Sequence, residues 1–252
     1  GYVHQEEGRL FNSAAVCLNG KFFFRYDKIL LPTYDVFDED RYFSPGKELG
    51  LIEIDINNKQ MVIGLQICED LWDHEYDRKI SDELSKSGAS FIVNISASPY
   101  HILKFNERIE LIKNKVNKIK KPIYYCNLVG AQDELIFDGE SIGVSSDGKL
   151  VGLGKKFSED IIYIDSNSDL SIPKPKIDRY SEVYNALVLG VRDYFGKTFH
   201  SEAIIGLSGG IDSSIVACIA TDALGSDKVH GVSLPSIISS NHSKSDAKDL
   251  AS

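Results

Sequence analysis

The sequence predicts an α/β protein built from two units, and three observations support this. The first part of the chain alternates short apolar runs with turn residues, the pattern of strands in a layered sheet. An amphipathic helix pattern interrupts these runs, as expected where a helix packs on a sheet. Farther along, a strand, a glycine-rich turn, a helix and another strand follow in order, which is typical of a parallel βαβ unit.

Length and charge limit the classes of function. A chain of 252 residues can form one large or two modest domains. Its formal charge of -9 argues against sequence-independent nucleic-acid binding, which depends on Lys and Arg. No apolar run approaches the roughly 20 residues that a membrane helix needs. We therefore expect a soluble, cytoplasmic protein with small polar substrates and without nucleic-acid or membrane partners.

Cysteine usage and the chain ends give further expectations. Cys17, Cys68, Cys126 and Cys218 lie far apart without a CxxC pair, so neither a zinc ribbon nor a redox motif is predicted. Disulfides are not expected, because no export segment is visible. The chain opens without Met and stops inside a helical pattern, so we expect both ends to be cut.

Residues 1–165 are predicted to form the first domain. Its predicted strands are Ala14 to Leu18, Phe22 to Phe24, Met61 to Ile67, Phe91 to Ile95, Ile123 to Tyr125 and Ile161 to Ile164. The predicted helix covers residues 105–120, with apolar residues at spacings of three and four. Its lysines could form a basic patch, but we interpret them as a solvated helix face.

Residues 166–178, with Ser, Asn, Asp and two prolines, are predicted to be a linker before a second domain at 179–252. A helix from Tyr180 to Phe195 is expected to end at Gly196. The βαβ unit follows as strand Ala203 to Leu207, turn Ser208 to Ser213, helix Ser214 to Ala223 and strand Val229 to Leu234.

The turn at the start of the βαβ helix predicts an anion site. Backbone N–H groups and the helix dipole favour a bound oxyanion at such a junction, although a Gly-Gly turn there can also be purely structural. The lysine of a Walker A loop is absent. Ser-Gly-Gly-Ile-Asp-Ser at 208–213 resembles the pyrophosphate loop of the ATP pyrophosphatases. This resemblance implies Mg²⁺ placed by Asp212 and ATP bound by Gly206, Leu207, Ser208, Gly209, Gly210, Ile211, Asp212 and Ser213.

The C-terminal stretch narrows this resemblance. Gly231-Val232-Ser233-Leu234-Pro235-Ser236, with Ser239, Ser240, Ser243, Asp246 and Ala247, is similar to a stretch of the NAD synthetases. Leu234 replaces a family Met and Ile238 replaces a family Tyr. The first change is conservative, whereas the second removes a hydroxyl from the loop.

The first domain has a candidate nucleophile at the end of a predicted strand. Cys68 opens Cys68-Glu69-Asp70-Leu71-Trp72, and a lone cysteine of this kind is usually an inert core residue. The surrounding stretches resemble the nitrilase superfamily, specifically the glutaminase domain fused to NAD synthetases: Arg25 to Pro32, Glu39 to Phe43, Gly46, Asn127 to Gly130 and Asp138 to Ser141. The resemblance implies a nitrilase-like α-β-β-α sandwich, then the start of a parallel-sheet, adenine nucleotide alpha hydrolase-like domain. It also implies a homo-oligomer.

The resemblance assigns catalytic roles. Cys68 would be the nucleophile and Lys28 the cation beside the oxyanion, with the backbone N–H of Glu69 as a second donor. Glu39 would orient the site, or else it is simply one carboxylate in the acidic run Asp35 to Asp40. The base glutamate is expected upstream of Lys28, and nothing near Glu6 or Glu7 matches it, so this chain alone is expected to be inactive.

Substrate glutamine would be bound by Tyr34, Glu69, Ser98 and Lys104. Lys104 matches the position that meets the glutamine carboxylate, where Arg would be stricter geometrically. Nearby His74 and His101 are interpreted as surface residues, and Cys126 as a buried structural thiol.

The resemblance implies a glutamine-hydrolysing NAD synthetase. Such an enzyme adenylates deamido-NAD with Mg-ATP and amidates it with ammonia released at Cys68, producing NAD, AMP and pyrophosphate. Two alternatives stay open: a stand-alone amidase or nitrilase with a nucleotide-binding module, and an inactive homologue that serves as a scaffold.

Overall fold

The computed structural model describes residues 1–56, 58–165, 171–176, 178–238 and 240–252. Residues 166–170 and 177 of the predicted linker, and Ser239 of the C-terminal stretch, lie outside the described residues. The chain divides into two compact units: one contains Gly1–Leu128 and Gly139–Pro175, the other Val129–Asp138 and Lys176–Ser252. The domain limits at 165 and 179 stay a prediction.

The strands are β1 Tyr2–Glu6, β2 Arg9–Leu18, β3 Lys21–Asp27, β4 Gly50–Ile56, β5 Lys59–Ile67, β6 Phe91–Ser96, β7 Ile123–Asn127, β8 Val129–Gln132, β9 Leu135–Asp138, β10 Ile142–Val144, β11 Leu150–Leu153, β12 Ala203–Gly206 and β13 Val229–Val232. The α-helices are α1 Ile80–Lys86, α2 Lys104–Ile119, α3 Arg179–Lys197, α4 Ile211–Leu224 and α5 Asn241–Leu250. Short 3-10 helices occur at Glu39–Arg41, Cys68–Asp70, Asp73–Glu75 and Ser226–Lys228.

The described residues of the first unit form two sheets. The antiparallel strands β1, β2 and β3 form the smaller one, and the larger has the order β11-β10-β7-β6-β5-β4. Its central strands β5, β6 and β7 are parallel, so their carboxyl ends meet at one edge. This is the mixed α/β class that the sequence predicts. The predictions omitted β4, although Ile52 and Ile54 alternate there with Glu53 and Asp55.

The amphipathic pattern of α2 is confirmed, because Ile109, Ile112 and Val116 are completely buried. The interpretation of its lysines needs correction at one position. Lys115 forms an ion pair with the buried Asp73, so its charge is bound and not solvated.

The predicted strand from Ile161 to Ile164 is wrong, because these residues form no strand. Ile161 and Tyr163 are exposed, whereas the Ile164 side chain lies over the glycines of β10 and β11. An extended segment that covers a sheet face has the same alternating pattern as a strand, but it lacks the ladder of hydrogen bonds.

The second unit has the predicted βαβ order. Strands β12 and β13 are parallel, with α4 between them in the chain. Helix α3 ends at Lys197 and not at Gly196, because the N–H and hydroxyl of Thr198 both donate to the Tyr194 carbonyl. Among the described residues, no helix is long and apolar enough to cross a membrane.

A hairpin from the middle of the chain also belongs to the second unit. Strands β8 and β9 pack on α3, where Asp193 accepts a hydrogen bond of 2.7 Å from the Ala131 N–H. Lys197 donates to the Ala131 carbonyl. No local pattern predicted this grouping.

Candidate active site

Cys68 lies at the carboxyl end of β5, where the strand turns into the 3-10 helix Cys68–Asp70. The backbone φ of Cys68 is +42°, a left-handed conformation that is unusual for a residue with a side chain. The Leu71 N–H donates to the Cys68 carbonyl at 3.0 Å, and the Asn94 amide donates to it at 3.4 Å. The strand end and these bonds hold Cys68, a half-buried residue, at the sheet edge.

A pocket of about 250 Å³ opens at this edge and brings three of the predicted residues together. Cys68, Lys28 and Glu39 all line it, with Asn12 beside them. Lys28 comes directly after β3, whereas Cys68 comes directly after β5. The pocket therefore combines a thiol, a cation and a carboxylate.

The cation in the pocket is held by a short ion pair. Lys28 Nζ lies 2.6 Å from Glu39 Oε1, and the lysine is only 1% exposed. Asn12 donates from its side-chain amide to the other Glu39 oxygen at 3.2 Å. Glu39 is thus engaged inside the site, unlike a solvated member of the acidic run.

The charges around the thiol act in opposite directions. Burial raises the pKa of Cys68, and the nearby Lys28 ammonium lowers it. The carboxylates of Glu69 and Glu39 also raise this pKa. Lys28, together with a hydrogen bond to Ser96 that also lowers this pKa, therefore favours the reactive thiolate.

Tyr34 and Glu69 are in direct contact. The Tyr34 hydroxyl donates to Glu69 Oε2 at 2.9 Å, and Tyr76, which the sequence did not single out, donates to Oε1 at 3.2 Å. Burial raises the pKa of Glu69, and the two hydroxyl donors oppose that increase. The result is a buried carboxylate beside the nucleophile.

Ser98 and Lys104 lie outside the residues that line the pocket. The Ser98 N–H donates to Asn127 Oδ1 at 3.0 Å, and its carbonyl accepts from the buried Arg108 at 3.3 Å. Lys104 Nζ lies 4.3 Å from the centre of the Trp72 ring and 3.4 Å from Glu107.

Three of the residues discussed from the sequence lie elsewhere on the surface. His74 and His101 are exposed, as interpreted from the sequence. Cys126 is exposed as well, so the expectation of a buried structural thiol is wrong.

The predicted phosphate loop lies in the second unit, between β12 and α4. Gly210 is the N-cap of α4, so Ile211, Asp212 and Ser213 belong to the first helical turn and not to the preceding turn. The hydroxyls of Ser208 and Ser213 lie 3.0 Å apart, and Ser208 Oγ accepts from the Gly210 N–H at 3.1 Å.

Gly209 needs to be a glycine for two reasons. Its φ is +80°, and a Cβ there would lie 2.1 Å from the Ser243 carbonyl oxygen. The loop at Gly209 therefore lies directly against the first turn of α5.

Asp212 is exposed in the first turn of α4. No group of three or more His, Cys, Asp and Glu side chains suited to a metal ion occurs in the described part of the chain. Mg²⁺ commonly binds through one or two carboxylates together with substrate phosphates. The single carboxylate of Asp212 fits that mode.

Comparison with known families also divides the chain into two parts. The carbon-nitrogen hydrolase family matches residues 1–173, which is more than half of the chain. The chain belongs to the carbon-nitrogen hydrolase family. A second family, NAD synthase, matches residues 183–252. The predicted nitrilase-like fold, followed by the start of an NAD synthase domain, is confirmed.

Several relatives of the chain are named glutamine-dependent NAD(+) synthetase. The protein from Synechocystis sp. is 42% identical, covering 98% of the chain and 46% of the relative. The one from Thermotoga maritima is 37% identical, covering 100% of the chain and 49% of the relative. The chain therefore spans about half the length of these relatives.

A solved structure gives the same result. The glutamine-dependent NAD+ synthetase from Acinetobacter baumannii, in complex with adenosine diphosphate, superposes with a TM-score of 0.88 at 33% identity. The match covers 98% of this chain and 47% of that one. The resemblance to glutamine-dependent NAD synthetases is confirmed for both parts of the chain.

Proposed function

We propose that the full-length protein is a glutamine-hydrolysing NAD synthetase. Its first domain would release ammonia from glutamine, and its second would use ATP to amidate deamido-NAD. The observation that carries the proposal is the pocket shared by Cys68, Lys28 and Glu39, on a chain that both families match.

The hydrolysis would proceed through a thioester. The Cys68 thiolate attacks the side-chain amide carbon of glutamine, and the carbonyl oxygen becomes an oxyanion. The C–N bond then breaks, the nitrogen takes up a proton and leaves as ammonia, and water hydrolyses the thioester to glutamate. A glutamate upstream of Lys28 is expected to transfer the protons.

Lys28 would stabilise the oxyanion as a buried point charge, and the Glu69 backbone N–H would be the second donor. A charge that is already fixed by Glu39 needs little reorganisation during the reaction. The same ammonium favours the Cys68 thiolate in the free enzyme. One cation would therefore serve both activation and transition-state stabilisation.

Recognition of glutamine would use charges at both ends of the amino acid. The Glu69 carboxylate, supported by Tyr34 and Tyr76, suits the substrate ammonium. Lys104 would receive the substrate carboxylate, and Ser98 would contact the substrate from the loop after β6. Lys104 would then exchange part of its contact with Glu107 for the substrate.

The second domain would bind ATP at residues 206–213, where Asp212 would hold Mg²⁺. The metal would neutralise phosphate charge during adenylation of deamido-NAD. The serine hydroxyls and the N-terminal amides of α4 would donate to phosphate oxygens. Ammonia then displaces AMP from the adenylate to form NAD. The full-length protein would work in the cytoplasm as a homo-oligomer.

The test is NAD formation from deamido-NAD and ATP by the full-length protein, with either glutamine or ammonia. AMP and pyrophosphate are the expected products, whereas ADP would contradict the proposal. Cys68→Ala should remove synthesis with glutamine and spare synthesis with ammonia, because only glutamine hydrolysis needs the thiol. The control is Cys126→Ala, an exposed cysteine outside the pocket, which should leave both reactions unchanged.

A further inference from the structure

Asp70 is a buried carboxylate to which the sequence assigned no role. It is completely buried and accepts four hydrogen bonds. Oδ1 accepts from the backbone N–H of Ile29 at 3.2 Å and of Leu30 at 3.0 Å. Oδ2 accepts from the Ile67 N–H at 2.9 Å and from the Tyr26 hydroxyl at 2.7 Å.

The backbone donors flank two residues of the proposed site. Ile29 directly follows Lys28, and Ile67 directly precedes Cys68. Strands β3 and β5, which lead to these residues, belong to different sheets, so strand pairing within a sheet does not join them in the described structure. The Asp70 carboxylate makes the connection instead, because Oδ1 accepts from the backbone after Lys28 and Oδ2 accepts from the backbone before Cys68.

We propose that Asp70 is a positioning residue that fixes the Cys68 thiol relative to the Lys28 ammonium. The inference rests on the proposed glutamine hydrolysis, because it concerns the geometry of that site. The left-handed backbone of Cys68 requires such support, since a strained conformation persists only where its surroundings hold it. The hydrogen bond from the Ile67 N–H to Asp70 supplies this support, because Ile67 directly precedes Cys68.

Only a carboxylate can serve all four donors. Both of its oxygens accept hydrogen bonds, whereas an amide has one oxygen and one NH₂ donor. In Asp70→Asn, the NH₂ group therefore faces donors on one side, either at Ile67 or at Ile29 and Leu30. The variant releases one of the two segments while it barely changes the side-chain volume.

The first test compares Asp70→Asn with Asp73→Asn in the full-length protein. Asp73 is also a buried aspartate, but its partner is Lys115 on α2. We expect Asp70→Asn to lower kcat for glutamine hydrolysis about 100-fold, the size of loss that a misplacement of about 1 Å can cause. KM for glutamine and ammonia-dependent NAD formation should stay near wild type, and Asp73→Asn should keep its kcat.

A second readout follows the thiol itself. Alkylation by iodoacetamide, resolved peptide by peptide because Cys17, Cys126 and Cys218 are exposed, should slow at Cys68 alone in Asp70→Asn. Unchanged kcat and alkylation would overturn the positioning role. An equal loss of glutamine- and ammonia-dependent synthesis, or the same loss in Asp73→Asn, would overturn it as well, because both indicate general destabilisation.

Tyr26→Phe tests the inference if Asp70→Asn does not fold. It removes one hydroxyl donor and keeps the three backbone bonds. The groups that face Asp70 are Tyr26, Lys28 and Arg78, and the Tyr26 bond opposes the rise in the Asp70 pKa caused by burial. The acid limb of kcat for glutamine hydrolysis should therefore move to higher pH, and an unmoved limb would overturn the inference.

Glutamine hydrolysis by the wild-type protein distinguishes a failure of the proposed function from a failure of the positioning role. If wild-type full-length protein does not hydrolyse glutamine, the proposed function fails and the positioning role fails with it. If wild type hydrolyses glutamine and Asp70→Asn matches it, only the positioning role fails.

Discussion

Lys28 Nζ lies 2.6 Å from Glu39 Oε1, and this lysine is almost completely buried in the pocket that contains Cys68. A buried cation needs such a partner, because an isolated charge away from water is costly. The pair therefore keeps a positive charge next to the thiol.

Lys28→Met should abolish most glutamine hydrolysis in the full-length protein and spare ammonia-dependent synthesis. Loss of one oxyanion donor typically costs about 100- to 1000-fold in kcat. The pKa of Cys68 should also rise, because Lys28 lowers it, so alkylation of Cys68 at neutral pH should slow. The matched control is Lys21→Met, an exposed lysine at the start of β3, which should behave as wild type. Unchanged hydrolysis in Lys28→Met would contradict this role.

Glu39→Gln should destabilise the first domain by about 3 kcal/mol, because it leaves the buried Lys28 ammonium without a counter-charge. Urea unfolding, monitored by tryptophan fluorescence, measures the change in the free energy of unfolding. Asp38→Asn is the control: Asp38 forms an exposed pair with Arg41 at 3.5 Å, and such pairs contribute less than about 1 kcal/mol. Equal stability of the two variants would place Glu39 among the solvated carboxylates.

Lys104→Ala should raise KM for glutamine and leave ammonia-dependent synthesis unchanged. A hydrogen bond to a charged group contributes about 1.5–3 kcal/mol, which corresponds to an increase in KM of about 10- to 100-fold. Steady-state kinetics with varied glutamine measure the change. Lys118→Ala, an exposed lysine on the same helix, is the comparison. If KM for glutamine is the same in both variants, Lys104 does not bind the substrate and its contact with Trp72 is purely structural.

Asp212→Ala should abolish NAD formation with both nitrogen donors, because adenylation precedes amidation in either case. The measurement is release of pyrophosphate and NAD from ATP and deamido-NAD. Asp227→Ala changes an exposed aspartate just after α4 and should retain both activities. Near-normal synthesis with ammonia in Asp212→Ala would show that residues 206–213 do not carry the ATP site.

Asp70 should make activity and stability respond to pH in opposite directions. Burial raises its pKa from the ordinary aspartate value of 3.8 to about 6 in the folded protein. The folded state then binds the proton more tightly than the unfolded state, so the contribution of Asp70 to stability increases as pH falls from about 6 to about 4. Glutamine hydrolysis should decline over the same range, because protonation removes an acceptor from the bonds that hold Ile29, Leu30 and Ile67.

Thermal unfolding of wild type and Asp70→Asn at pH 7.5 and pH 5 tests this. The difference in unfolding midpoint should shift in favour of wild type at the lower pH, since only wild type takes up the proton. A shift toward the variant would mean that Asp70 is stabilised as a carboxylate, with its pKa lowered by the four donors.

Much of the site was predictable because its signals are local. A buried strand that ends at Cys68 and a glycine-rich turn between strand and helix are both visible in short stretches of sequence. Resemblance added Lys28 and Glu39, which the structure brings into one pocket with Cys68. Tyr76 and Asp70 had no such signal, because acidic and aromatic residues are common and their hydrogen-bond partners cannot be read from the neighbouring sequence.

Periodicity and turn residues within about 20 positions determined, from the sequence by itself, strands β2, β3, β5, β6, β7, β12 and β13 and helices α2, α3 and α4. The order of the two families followed from the resemblance of short motifs. Only the tertiary structure decided the partners of the polar groups. Asp70 bonds to Tyr26 across 44 positions, Glu69 to Tyr34 across 35, and Ala131 to Asp193 across 62. Such contacts depend on how sheets and helices pack, and a hydrogen bond between distant residues leaves no periodic trace in either segment.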